Sequence, residues 1–352
     1  MSRRTLASAV VACLLLALAS VAAFLPVPYV TMSPGPTVDV LAKGANDKEI
    51  IAVSGHKTYP TEGDLRLTTV SVTNPAQKVH LVSVLGAWFD TTRAVYPRDV
   101  IYPPDKSAEE SEQESNVEMV SSQDTSIAAA LDELGYDLPL QIEVLAVTKG
   151  SPAEGKLRVR DKLREINGVR IRAVGQVTKA VQQSGVDKPA TFVVRRGSTD
   201  ETVTMTAEAA KDDPDKAVVG VQIGTSYDFP FDVSVRLDQD IGGPSAGLIF
   251  SLGVYDKLTP GALSGGNDIA GTGTITAAGR VGPIGGIQQK IVAAASAGAK
   301  IFLVPPDNCE SAGSADVKRG EIRLVKAATL RSAVTSLEAY AADPAADLPA
   351  CR

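Results

Sequence analysis

Residues 6–25 form a run dominated by apolar side chains, from Leu6 to Leu25, preceded by Arg3 and Arg4 and closed by Pro26. In lipid, about 20 apolar residues can satisfy their backbone only as a helix, and that length matches the hydrocarbon thickness. The arginines favour a cytoplasmic N-terminus, which would place the bulk of the chain outside the cytoplasm. A cleaved signal peptide is the competing reading, because Ala19 to Ala23 are small residues of the cleavable kind. The length of the run favours a retained single-pass anchor over residues 1–26. Cys13 lies in mid-run, with apolar residues behind it, and reads as a lipid-facing or packing cysteine.

Beyond the run, 352 residues leave room for two or three domains. Apolar residues make up 44% and charged residues 22%, an ordinary globular balance. The net charge of −6 and the lack of a long Lys/Arg cluster argue against nucleic acid as a partner. The histidines, His56 and His80, are both far from the glycine-rich motifs of the second half. No metal-ligand spacing occurs, so neither a metal nor another cofactor is expected. Cys309 and Cys351 could pair outside the cytoplasm. A buried Cys309 with a free Cys351 on a frayed tail fits equally well.

The sequence reads as a multidomain α+β chain. Residues 27–102 are expected to be a β-rich juxtamembrane spacer: prolines keep 28–36 extended, and Leu65 and Leu67 alternate with Arg66. Residues 103–126, with Glu109, Glu110, Glu112, Glu114 and Glu118, read as an acidic helix or linker. Ile127, Ala130, Leu131 and Leu134 then recur at helical spacing before Gly135. Residues 341–352 read as a loose tail.

Residues 127–210 resemble a PDZ domain. The resemblance rests on the strand Gln141–Val147, on Gly150-Ser151-Pro152-Ala153, and on Asp161 to Gly168. It continues through a short helix over Gln176–Gln183 and two further strands. Asn167-Gly168 is a strong hairpin signal. Most bacterial domains of this type have glycine before the aspartate, where this chain has Arg160. The resemblance implies an extended peptide, such as a protein C-terminus, added to a sheet edge beside the helix. Its carboxylate-binding loop is expected near Gly135-Tyr136-Asp137-Leu138.

Residues 211–340 carry the chemical signal. Ser245 sits in Gly243-Pro244-Ser245-Ala246-Gly247, ahead of an apolar helical run, and Lys290 follows in Gly285-Gly286-Ile287-Gln288-Gln289-Lys290. A serine hydroxyl needs an adjacent base to act as a nucleophile. A lysine can be that base if burial lowers its pKa, and Ile287, Ile291, Val292 and Ala293 are apolar enough to bury it. Backbone groups around Gly243, Pro244 and Ala246 are the expected oxyanion site. Asp238 and Asp240 read as surface or turn residues.

These blocks, with Gly271-Thr272-Gly273, Pro283-Ile284-Gly285-Gly286-Ile287, and Pro305 with Asn308, resemble in order the proteolytic domain of the Lon family. With the apolar run and the PDZ segment, the chain is similar to bacterial membrane-anchored, PDZ-containing, Lon-like proteases. The resemblance implies that Ser245 is the nucleophile, that Lys290 is its base and that Thr272 supports the lysine. It also implies polypeptide substrates and a ring-like homo-oligomer. The chain departs from the ATP-powered members: it holds no G-x-x-x-x-G-K-[ST] loop, so ATP-independent cleavage of unfolded or flexible proteins is expected. The alternative is a non-catalytic PDZ adaptor with an inactive Lon-like domain. Retention of both Ser245 and Lys290 argues against it.

Overall fold

The computed structural model describes the whole chain except residues 1–2, 45–46, 75–76, 105, 211–212, 238–240, 319 and 352. Asp238 and Asp240 therefore lie outside the described residues. Helix α1 (Arg3–Ala23) is followed by β1 (Pro26–Val27), β2 (Tyr29–Asp39), β3 (Ile51–Ser54), β4 (Asp64–Val72), β5 (Val79–His80), α2 (Leu81–Phe89), β6 (Ala94–Pro97) and the one-turn α3 (Arg98–Ile101). The long helix α4 (Ala108–Glu133) leads into β7 (Leu140–Val147), β8 (Lys162–Ile166), β9 (Val169–Arg170), α5 (Val174–Ser184), β10 (Pro189–Arg196) and β11 (Thr199–Thr206). The hairpin β12 (Glu208–Ala210) and β13 (Asp213–Val218), then β14 (Val221–Tyr227) and β15 (Asp232–Val235), precede α6 (Gly247–Leu258). The chain ends through β16 (Asp268–Gly271), β17 (Thr274–Ile275), β18 (Val281–Gly282), α7 (Ile287–Ser296), β19 (Ile301–Val304), α8 (Cys309–Ala312), β20 (Arg323–Lys326) and α9 (Leu330–Ala342).

Helix α1 is long and apolar enough to cross a membrane, and none of its most apolar stretch is buried against the rest of the protein. Past it, two sheets organise the chain. The first runs β20-β19-β16-β4-β2-β6, parallel from β20 to β4 and antiparallel from β4 to β6. Its side chains alternate across the two faces, as the pleat requires. Leu65, Leu67, Ile269, Ile301 and Leu303 join the core under α6, whereas Ala270, Phe302 and Val304 join the core under α7. Arg66, between the two leucines, pairs with Asp268 and Asp64 across the parallel β4–β16 junction.

This sheet corrects the reading of 27–102 as a separate spacer. Strands β2, β4 and β6 come from that segment, and β16, β19 and β20 from beyond residue 267. Likewise β3 pairs with β15. The local alternation of Leu65 and Leu67 shows strand but not partner, and the partner lies about 200 residues downstream. Of the two readings of 103–126, helix or linker, the structure has the helix: α4 runs from a Ser107–Glu110 capping box to Glu133 and so continues past 126. The second half of α4, with Ile127, Ala130 and Leu131 fully buried, packs into the same core as α6.

The second sheet runs β11-β10-β8-β7-β14, with β9 on β8 and α5 against it. Its core is separate, built from Ile142, Val144, Ile166, Phe192, Val194, Val177 and Val181 among others. Because β14 belongs to this sheet, a boundary at 210 cuts through it. The unit is inserted in the chain between the two halves of the first sheet. The tail expected to be loose is docked over its described residues, 341–351. Cys351 is disulfide-bonded to Cys309, Lys326 N–H donates to Pro349 O at 2.8 Å, and Leu348 is buried.

Candidate active site

Lys290 sits in the first turn of α7, whose N-cap Gly286 has φ 68°. That left-handed angle suits glycine, and the space requires it as well. A Cβ there would lie 2.7 Å from Val70 Cγ1 and 2.8 Å from Met32 Sδ. Glycine thus lets the start of α7 press onto β2 and β4. The preceding bridge is pinned by Asn308, whose Oδ1 accepts from Ile284 N at 2.9 Å and whose Nδ2 donates to Ile284 O at 3.0 Å.

Ser245 ends the loop before α6. Its carbonyl accepts from Thr272 Oγ1 and from Gly273 N, each at 2.9 Å, so the end of β16 grips the serine's own backbone. Across it, Lys290 Nζ lies 2.7 Å from Ser245 Oγ and 3.1 Å from Thr272 Oγ1. Thr272 is committed as a donor to the Ser245 carbonyl, so towards Lys290 it accepts. That fixes one lysine N–H and leaves the nitrogen aimed at the serine. Lys290 is 2% exposed. Burial disfavours its ammonium form and lowers its pKa from 10.5 to about 8. The three residues from three separate sequence blocks therefore meet at hydrogen-bonding distance.

The expected oxyanion donors need revision. Pro244 has no N–H; its carbonyl instead accepts from Ser122 Oγ at 3.1 Å. The Gly243 N–H donates to Ser115 O at 3.2 Å. The amides of Ser245 and Ala246 have no acceptor among the described residues. Both residues line a cleft of about 550 Å³.

That cleft contains what the sequence did not flag. Its walls include Leu67 to Val72 of β4, Ser115 and Met119 of α4, and Tyr102, facing Ile241 to Gly243 and Lys290. Strand β4 pairs with β16 only as far as Leu67–Gly271, so its edge from Thr68 to Val72 on that side carries no strand among the described residues. In α4 the spacing Ser115, Met119, Ser122 is one helical face within an acidic segment, a readable signal that charge alone obscured. His56 stacks on Phe231, and His80 lies against Phe24; neither lines the cleft.

The PDZ-like unit differs from expectation in one respect. Tyr136 and Leu138 pack against the first core, and Tyr136 OH is 3.0 Å from His56 Nε2, so the Gly135–Leu138 loop does not face α5. On that side α5 packs against β13 and the sheet-edge strand β14, which follows β13 through Val219 and Gly220. The Gln182 side chain exchanges two hydrogen bonds with the Ala217 backbone there. Arg160, in the position usual for glycine, adopts φ 73°. Its guanidinium pairs with Asp124 of α4 and bonds Gln123 Oε1 at 3.0 Å, with Glu143 3.8 Å away. Asp124 also accepts from Ser226 of β14 at 3.0 Å. Burial first, then the charge of Asp124, raises the Glu143 pKa to about 7.

Residues 239–332 match the Lon protease (S16) C-terminal proteolytic domain, and residues 143–196 match a PDZ domain. A Lon protease of Desulforamulus reducens is 46% identical over 66 residues, 19% of this chain and 8% of that protein. A Lon protease of Fusobacterium nucleatum is 33% identical over 172 residues, 46% of this chain and 20% of that protein. The chain thus spans a fifth or less of the length of these relatives. Among solved structures, the PDZ domain of an SdrC-like protein from Listeria monocytogenes aligns at 18% identity with a TM-score of 0.22, over 23% of this chain and 85% of that one. The segment around Ser245 and Lys290 is thus similar to the serine-type proteolytic domain of Lon proteases, and its combination with a PDZ match and an apolar N-terminal helix fits a PDZ-containing Lon-like protease with an N-terminal membrane anchor.

Proposed function

We propose that this protein is an ATP-independent serine endopeptidase that uses a Ser245–Lys290 dyad to cut unfolded or flexible polypeptides outside the cytoplasm. The observation that carries the proposal is the 2.7 Å approach of a buried lysine nitrogen to the serine oxygen. The neutral Lys290 amine takes the Ser245 proton as Oγ attacks the peptide carbonyl. The ammonium then returns that proton to the leaving amine. Water, deprotonated by the same lysine, hydrolyses the acyl-enzyme. Thr272 is a positioning residue, and the Ser245 and Ala246 amides hold the oxyanion. Substrate lies extended against the open edge of β4, from Thr68 to Val72, which selects chains able to give up their own structure. The missing Walker loop supports ATP independence. Arg3 and Arg4, at the start of α1, support an extracytoplasmic site.

The PDZ unit recruits or gates substrate. A peptide adds to the open edge of β14 beside α5, with its carboxylate at the turn around Gly220. Casein cleavage tests the dyad: Ser245→Ala and Lys290→Ala should each abolish it while circular dichroism stays unchanged. Cleavage retained by either variant would refute the assignment.

A further inference from the structure

Helix α2 is apolar on two sides, and one of them the protein's own fold does not use. Val84 and Ala87 are buried, while Val82, Leu85, Trp88 and Phe89 face outward, Trp88 at 71% and Phe89 at 84% exposure. The outward residues fall at helical spacing and form one continuous apolar face. This face is tied to the exit of α1 by main-chain bonds. Strand β5, immediately before α2, pairs with β1 in the register Pro26↔His80 and Val27↔Val79. Leu81 N–H donates to Leu25 O at 3.0 Å, and the His80 ring nitrogen Nδ1 lies 2.8 Å from Phe24 O. Phe24 and Leu25 are themselves 68% and 51% exposed, so the apolar surface of α1 continues onto α2.

We propose that α2 lies in the plane of the membrane interface, its Val82, Leu85, Trp88 and Phe89 inserted among lipid acyl chains and headgroups, and that it seats the proteolytic sheet on the bilayer. The occupant is lipid because the apolar face begins where the membrane-spanning helix ends, one strand spacing away. Two apolar elements joined by that short ladder cannot sit at different heights above the bilayer. Aromatic side chains such as Trp88 favour that boundary. The buried side of α2 packs on β2 and β6, and β2 pairs with the cleft strand β4 in the register Met32↔Val72 and Pro34↔Val70. Met32 is seven residues past Leu25, so at strand rise the cleft stands within about 25 Å of the membrane end of α1. The substrates this geometry favours are polypeptide segments held close to the bilayer. The proposal rests on α1 being a membrane anchor, and its substrate consequence on the peptidase reading.

Trp88 is the only tryptophan in the chain, so fluorescence of the full-length protein reports on this helix alone. In phosphatidylcholine vesicles, its emission should be blue-shifted, and brominated acyl chains should quench more than half of it, whereas aqueous iodide should quench little. Phe89→Glu should at least halve the quenching by bromolipid. It should leave cleavage of a soluble peptide unchanged and slow cleavage of a short-tethered, lipid-anchored peptide several-fold. Quenching by iodide but not bromolipid would overturn the proposal. So would protection from both, which would mean that a second copy or another protein covers the face. Release of the chain by alkaline carbonate would overturn the anchor reading and the proposal with it. A catalytically silent protein whose Trp88 is still quenched by bromolipid would refute only the peptidase reading.

Discussion

Replacing Lys290 with methionine separates the chemistry of the dyad from its energetics. The lysine has a pKa of about 8 in the folded chain against an ordinary 10.5. Its pKa is lowered on folding, so the folded state binds fewer protons than the unfolded one between those values. The burial penalty is therefore full below pH 8 and fades as pH rises towards 10.5. At pH 7 it amounts to about 3 kcal/mol of destabilisation. Lys290→Met removes the ammonium with little change in shape but gives up the contacts with Ser245 and Thr272, about 1–2 kcal/mol together. The variant should be more stable than wild type by about 1–2 kcal/mol at pH 7, a rise of roughly 4 °C in melting temperature. At pH 10 the advantage should vanish or reverse. Scanning calorimetry of both proteins at the two pH values measures this. In wild type, kcat/KM should rise about tenfold from pH 7 to pH 9 as the amine deprotonates. A variant no more stable than wild type at pH 7, or a flat pH–rate profile, would refute the assignment of Lys290 as a desolvated base.

Thr272→Val should lower kcat by about 10–100-fold with KM little changed, because the lysine loses its acceptor and the Ser245 carbonyl a donor; steady-state kinetics on one peptide reports both. Gly286→Ala should destabilise the protein by about 2 kcal/mol or more and reduce activity, since both the left-handed angle and the contact with Val70 are refused; urea unfolding with an unchanged midpoint would contradict the packing. Arg160→Gly relieves a strained backbone worth about 1 kcal/mol but leaves Asp124 and Glu143 facing each other, and should be net destabilising by about 2 kcal/mol. The raised pKa of Glu143 works in the opposite sense to that of a paired carboxylate. The stability it contributes is present in the protonated form and is lost as pH rises from about 4.5 through about 7. Glu143→Gln should flatten that slope in melting curves recorded from pH 5 to 8.

Much of the site was legible because its parts are local motifs. Ser245 and Thr272 sit in glycine-marked turns, and Lys290 lies in the first turn of the helix that follows Gly285-Gly286, so each is marked by its immediate neighbours in sequence. The long-range geometry was not legible. Nothing near Leu65 indicates that its strand will lie beside Ile269, because strand periodicity specifies a face and not a neighbour. Pro244 sits within the serine motif, but proline has no amide hydrogen to offer an oxyanion. Chain order points to Gly135–Leu138 as the carboxylate-binding loop of the PDZ unit, whereas β14, the edge strand, arrives from the other end of the unit. In sequence Arg160 is only a departure from glycine; its meaning lies in Asp124, on a helix whose acidic pattern reads as a solvated face.

The insertion of one folded unit between the two halves of a sheet has a consequence for the order in which this protein matures. The β4–β16 ladder joins Leu65 to Ile269, so neither half of the cleft wall has its partner until most of the chain has been synthesised. Closing a loop of that length costs little more entropy than closing one half as long, but it must wait for the distant strand. The inserted unit, with its own core, can form first and draw the loop ends together. Ser245 and Lys290 both lie beyond it, in a part of the chain that emerges after it. On the proposed mechanism, nucleophile and base can meet only after the inserted unit has been synthesised, so a nascent chain would have no dyad with which to cut itself or its neighbours.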